Sequence, residues 1–184
     1  MKTTNKFASH ALTRAWSVSI FFLLWFFLVI FFFKINPESL SLSIFYLLLI
    51  INTFFSIRTF ATITPKDHFG QKIWDILLIL CLVSLPLVFS STIDFVSIAL
   101  VLFVVASLKY IFLIPVVNFS RLLFYKIRID TLGILLCTLC LLGVIGGFPR
   151  ASTDIWTSIF FLANVYVLWY EPLYRVEHHF EGFL

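Results

Sequence analysis

Long apolar runs, separated by short charged segments, dominate the chain. Five stretches of 16 to 19 residues contain no charged side chain, and a sixth apolar run, Phe95 to Val117, is interrupted only by Lys109. An α-helix needs about 17 to 25 predominantly apolar residues to cross a hydrocarbon layer about 30 Å thick. The pattern therefore predicts six transmembrane helices, at about 16–33, 40–62, 73–89, 95–117, 129–145 and 155–170. The alternation of a membrane β-strand is absent, so we expect an all-α polytopic bundle.

Composition agrees with this class. Hydrophobic residues make up 61% of the 184 residues and charged residues 12%, and the mean hydropathy is +1.07. Soluble domains are about 45 to 50% apolar and about 25% charged, so a water-soluble fold is excluded. We expect one integral membrane domain over residues 1–184. The first apolar run has 18 residues, whereas a signal-peptide core has about 7 to 15, so we expect it to be retained as a helix.

The basic residues predict an orientation. Eleven of the 13 Lys and Arg residues fall at or near one set of predicted helix ends, which includes both termini. The positive-inside rule then places both termini in the cytoplasm, with the chain arranged as three helical hairpins. A bacterial inner membrane fits this pattern best. The same clustering speaks against nucleic-acid binding, although the net charge is +4.

Five ionisable residues from five predicted helices share one depth near the cytoplasmic ends. They are Arg58, Asp75, Lys109, Asp130 and Glu171. Three interpretations remain open: the side chains snorkel to the headgroups, Lys109 forms an inward ion pair with Asp75 or Asp130, or the layer is a working vestibule open to the cytosol.

Two further groups of residues have a predicted structural role. Asn52 and Asn164 lie within predicted helices, where amides usually join helices through hydrogen bonds, and solute binding is the alternative. Gly133, Gly143 and Gly147 are spaced for close packing of the fifth helix, within the bundle or in a homo-oligomer.

Motifs for catalysis or metal binding are weak. Cys137 and Cys140 form a C-x-x-C, but apolar surroundings disfavour the reactive thiolate, so packing is the better interpretation. His178 and His179 lack the spacing of a recognised zinc motif. No nucleotide-binding loop, nucleophile elbow or metalloprotease motif occurs. We therefore expect no enzyme activity, no catalytic residues, no metal and no cofactor.

Two functional classes follow. The first is a non-enzymatic membrane subunit that anchors or regulates a complex, binding a protein partner through basic segments 64–72 and 118–128 and the tail 171–184. The second is a small transporter or channel that uses the charged vestibule for a small solute, with anions favoured by the basic excess. A degenerate repeat of the hairpins, which Arg14, Lys72 and Arg128 open at spacings of 58 and 56, favours the second class, although similar helix lengths also produce such spacings.

Overall fold

The computed structural model describes residues 2–63, 69–115 and 120–170, which form six α-helices and no strand. The helices are α1 (Lys2–Phe31), α2 (Leu40–Ile63), α3 (Phe69–Leu87), α4 (Thr92–Leu113), α5 (Ser120–Ile145) and α6 (Pro149–Val165), and a π-helical turn, Tyr166–Tyr170, continues α6. All six are long and apolar enough to cross a membrane, with apolar spans of 18 to 25 residues. The prediction of an all-helical, multi-pass membrane protein is confirmed at this level.

The helix boundaries differ from the predicted spans most at the starts of α1 and α5. Helix α1 begins at Lys2, 14 residues before the predicted start, and α5 begins at Ser120, nine residues before it, so Arg121, Lys126 and Arg128 lie on a helix rather than in a connection. Apolar runs mark the part of a helix that hydrocarbon can surround, whereas backbone hydrogen bonding continues through polar residues beyond it. The predicted connection 118–128 is therefore mostly helical, and residues 116–119 lie outside the described part of the chain.

Each helix packs mainly against two others, in a closed circuit. The order around the circuit is α1, α2, α6, α5, α4, α3 and back to α1. Aromatic side chains fill the space between the helices: the rings of Phe45 and Trp156 stack with their centroids 3.8 Å apart, and Phe95 packs edge-on against both. The surfaces that face away carry large apolar side chains such as Leu24, Ile76 and Leu142. This inside-out exposure is what a lipid environment requires.

Pro86 lies inside α3 and leaves a backbone carbonyl without its usual partner. Proline has no N–H, so the carbonyl of Leu82, four residues earlier, loses its helical hydrogen bond. The hydroxyl of buried Tyr46 donates to that oxygen at 3.1 Å, and the indole N–H of Trp25 donates to the next carbonyl, that of Val83, at 2.9 Å. Side chains from α2 and α1 thereby donate hydrogen bonds to two backbone carbonyls of α3 next to its proline.

The turn between α5 and α6 follows directly from its sequence. The amide of Phe148 donates to the carbonyl of Gly143, and the amide of Gly147 donates to that of Val144, which is the Schellman arrangement. Gly147 has φ +90°, a conformation that favours glycine. Pro149 then opens α6, at the position where its missing N–H costs nothing.

A polar cluster joins helices at the end of the bundle that contains Glu38. The Glu38 carboxylate accepts hydrogen bonds from the amide and the hydroxyl of Thr92, at the start of α4. The hydroxyl of Ser41, on α2, donates to Asp154, on α6. We call this the Glu38 end; the candidate site lies towards the other end.

Candidate functional site

A cavity of about 120 Å³ lies between the first five helices. A buried water needs about 10 to 15 Å³ of such volume, so the cavity has room for several waters or one small solute. Aliphatic and phenylalanine side chains form much of the wall. Its polar lining comprises Arg14 of α1, Asn52, Thr53 and Ser56 of α2, Asp75 of α3, Lys109 and Tyr110 of α4, and Lys126 and Asp130 of α5.

Three helices meet through one carboxylate in this lining. Asp75 Oδ1 accepts a hydrogen bond from Lys109 Nζ at 2.6 Å, and Asp75 Oδ2 accepts one from Arg14 at 3.1 Å. Of the three open interpretations of Lys109, this geometry corresponds to an inward ion pair. Together, Arg14, Lys109 and Asp75 carry a net charge of +1.

A second ion pair lies one helical turn apart on α5. Lys126 Nζ donates to Asp130 Oδ1 at 2.6 Å, and both side chains are almost fully buried. Asp130 Oδ2 is also buried but has no hydrogen-bond partner. A buried ionised carboxylate normally has both oxygens satisfied, so this atom stands out as an acceptor that is left without a donor.

Tyr110 lies between the two ion pairs. Its ring centroid is 5.8 Å from Lys109 Nζ and 5.7 Å from Lys126 Nζ, both within the range of cation–π attraction. Its hydroxyl is 2.8 Å from Ser56 Oγ. The ring thus holds two lysines from different helices near one another, while its hydroxyl fixes its position against α2.

The charged side chains form a gradient of exposure. The exposed fraction falls from 60% for Arg14 to 29% for Asp75, 14% for Lys109, 7% for Lys126 and 1% for Asp130. Charge therefore continues from the surface into the interior. With three cations and two carboxylates, the lining carries a net charge of +1.

The two predicted asparagines are in contact. Asn52 Nδ2 donates to Asn164 Oδ1 at 3.1 Å, and Asn164 Nδ2 donates to the carbonyl of Phe160 at 2.8 Å. Asn52 also lines the cavity, whereas Asn164 is buried behind it. The pair joins α2 to α6 and places one amide group against the cavity.

The other two members of the predicted charge layer are not part of this lining. Arg58 is exposed and does not border the cavity. Glu171 and the tail that follows it lie outside the described residues, as do residues 64–68 of the predicted basic loop.

The predicted packing glycines have different surroundings. A Cβ on Gly133 would lie 2.7 Å from the ring of Phe103 on α4, and one on Gly143 would clash with Ser152 of α6. A Cβ on Gly147 would meet nothing within 4 Å, so this residue serves the turn rather than helix packing.

The sequence interpretation missed Arg14, Tyr110 and Lys126 as members of the lining. The sequence places Arg14 before the first predicted helix and Lys126 in a predicted connection, because both residues flank apolar runs. The spacing of Lys126 and Asp130, four residues apart, was the available signal, since side chains at i and i+4 share a helix face.

Within the described residues, no three His, Cys, Asp or Glu side chains come together as a metal site, and Cys81, Cys137 and Cys140 are free. The chemistry that the lining offers is therefore hydrogen-bond donation and positive charge from lysine and arginine, with one unsatisfied carboxylate oxygen. Comparison with protein-family models, with curated proteins and with solved structures finds no match.

Proposed function

We propose that this protein is a small transporter that binds a small anion in the charged cavity. The observation that carries the proposal is a lining with three cations and two carboxylates, of which all but Arg14 are less than one-third exposed. Ionisable groups within membrane helices are costly and tend to mark substrate or ion pathways. In this protein five of them, from four helices, line one space.

The sign of the charge favours an anion. In the low-dielectric interior of a bundle an ion is stable only when opposite charge compensates it. The ammonium groups of Lys109 and Lys126 compensate the charge of an anion next to them, whereas a cation would be repelled by them. The amide of Asn52 and the hydroxyls of Thr53 and Ser56 supply further polar groups.

The apolar side of the cavity favours a carrier over an open pore. Phe22 and Phe103 line the cavity and also belong to the buried core that packs towards the Glu38 end. A solute would therefore cross the bundle only after these aromatic side chains move. Such a cycle is alternating access, in which two conformations expose one site to opposite sides.

The sidedness of the proposal comes from the basic residues. With three hairpins and both termini in the cytoplasm, as the positive-inside rule predicts, Arg14 and the cavity face the cytosol, and a bacterial inner membrane is the fitting location. No enzymatic step forms part of this proposal.

Anion uptake into reconstituted vesicles tests the function. Purified protein in liposomes is given radiolabelled chloride, nitrate or phosphate, and uptake is compared with that of Lys109→Met, which removes a cation of the lining. We expect this variant to insert normally and to lose most of the uptake. Arg58→Met is the matched control, because it removes a cation of the same predicted layer that does not border the cavity. Uptake that all variants retain, or that the unaltered protein does not show, contradicts the proposal.

A second candidate function is supported by the surface at the start of α5. Arg121, Phe124 and Arg128 are all exposed and share one helix face, at positions i, i+3 and i+7. This face fits a protein partner, as expected of a non-enzymatic subunit that anchors or regulates a membrane complex. Lys126, although close in sequence, is buried and does not contribute.

Purification in mild detergent separates this candidate from the first. A partner present in a fixed ratio, and lost from the double variant Arg121→Glu/Arg128→Glu, supports the subunit. Arg58→Glu/Lys72→Glu is the control, since it reverses two exposed cations elsewhere. Absence of any stoichiometric partner, together with anion uptake by the isolated protein, contradicts it.

A further inference from the structure

We infer that Asp130 takes up one proton for each anion that binds, so that anion and proton enter the cavity together. The inference rests on the proposed function, because it concerns the same cavity. It assigns the two α5 groups separate tasks: Lys126 holds the anion and Asp130 holds the proton.

The first step in the argument is competition for one ammonium group. Lys126 Nζ is 2.6 Å from Asp130 Oδ1, so its charge is neutralised as long as that carboxylate is ionised. An anion that approaches Lys126 meets the negative charge of Asp130 at the same place. Two anions sharing a buried site repel each other strongly, and protonation of one of them relieves the repulsion.

The second step is the unsatisfied oxygen. Asp130 Oδ2 is buried and has no hydrogen-bond partner, and the residue borders the cavity. Protonation at this oxygen removes the negative charge from a buried acceptor that has no donor. The proton thus reaches the oxygen that no other group stabilises.

Binding one anion together with one proton leaves the net charge of the cavity unchanged. The Asp130 carboxylate gains a proton from water and becomes a neutral carboxyl, Lys126 stays an ammonium, and the anion pairs with it. The net charge of the lining with its contents is +1 before and after, so the ion enters the low-dielectric interior without adding charge.

The other titratable groups around the cavity are less suited to this task. Asp75, from α3, already contacts two cations, Lys109 of α4 and Arg14 of α1, and is far more exposed. Tyr110, from α4, has its hydroxyl at hydrogen-bond distance from Ser56. Among the described residues, α2 and α6 contribute no titratable side chain to the lining.

Calorimetry of chloride binding measures the proton directly. Purified protein in detergent is titrated with sodium chloride at constant ionic strength, in two buffers of different ionisation enthalpy, and the difference in heat gives the number of protons taken up. We expect one proton per chloride. We also expect chloride affinity to rise about tenfold for each unit of pH lowered, in the range where Asp130 is ionised.

Two variants locate the proton. Asp130→Asn, which is neutral at every pH, should bind chloride without proton uptake and without the steep pH dependence. Asp154→Asn, at the Glu38 end, is the matched control and should keep one proton per chloride.

The outcomes distinguish this inference from the function on which it rests. Chloride binding without proton uptake by the unaltered protein, or unchanged uptake by Asp130→Asn, overturns the inference and leaves an anion site. Should Asp130→Asn fail to fold, Asp75→Asn removes the other carboxylate of the lining: proton uptake that this variant keeps supports Asp130, and proton uptake that it loses overturns the inference. No binding of chloride, nitrate or phosphate at any pH overturns the proposed function itself.

Discussion

Replacing Lys126 with methionine tests whether the α5 ion pair is as buried as the structure places it. Lys126 and Asp130 expose 7% and 1% of their side chains, and Oδ1 of the aspartate has the lysine ammonium at 2.6 Å. Methionine keeps the aliphatic stem but removes the ammonium group that contacts the buried Asp130 carboxylate. Breaking a buried pair in this way costs about 3 to 5 kcal/mol.

The comparison within the same cavity is Lys109→Met. Asp75 then keeps Arg14 at 3.1 Å and has 29% of its side chain exposed. An ion pair with this much access to water contributes only about 0 to 1 kcal/mol. The two substitutions remove the same chemical group, so they should differ in unfolding free energy by about 2 to 5 kcal/mol.

The assay is unfolding in mixed micelles of mild detergent and sodium dodecyl sulfate, followed by tryptophan fluorescence. The double variant Lys126→Met/Asp130→Leu should recover most of the loss, since replacing a whole buried pair with apolar groups is often neutral. If Lys126→Met costs no more than Lys109→Met even at alkaline pH, where a proton does not neutralise Asp130, that residue is well hydrated or otherwise paired, and the reasoning about its burial is refuted.

Three further predictions concern how the helices are held together. Tyr46→Phe should lower the unfolding free energy by about 1 kcal/mol, and by less in a Pro86→Ala background, where the backbone can supply the missing donor; equal losses in both would contradict the role given to the tyrosine hydroxyl. Gly133→Ala should destabilise the fold by about 1 to 3 kcal/mol through overpacking against the facing ring, despite the better helix propensity of alanine, and a stabilised variant would rule out that close approach. Asn52→Leu and Asn164→Leu should each cost about 0.6 to 2 kcal/mol and the double variant no more than the larger of the two, whereas additive losses in the same unfolding assay would show that the two amides do not share a hydrogen bond.

The charged layer shows how far the sequence predicts this site. Depth follows from counting residues along a helix, so the level of Lys109 in the bundle was open to prediction, whereas its inward direction was one of three open interpretations. The direction in which a side chain points does not follow from depth: at 100° per residue Arg58 lies about 120° around α2 from Asn52, which brings the amide to the cavity and the cation to the surface. A nearly uniform apolar helix carries no amphipathic pattern to fix that rotation.

The start of α5 shows a second limit of prediction from the sequence. Counting uncharged positions placed the start of the fifth helix near Ile129, and so left Lys126 in the basic connection before it. In the structure Lys126 is buried because Asp130, one turn further along, offers it a partner on the same helix face. The apolar pattern predicts where lipid surrounds a helix, while tertiary contacts decide which polar residues the bundle encloses.

Anomalous X-ray diffraction from crystals grown with bromide is the most direct test of the anion site, because bromide replaces a small anion and reports its own position. The account predicts a bromide peak within the cavity, in contact with the ammonium group of Lys109 or Lys126, that disappears in Lys109→Met/Lys126→Met. Bromide found only beside exposed cations such as Arg58, with the cavity empty of it, would contradict the account.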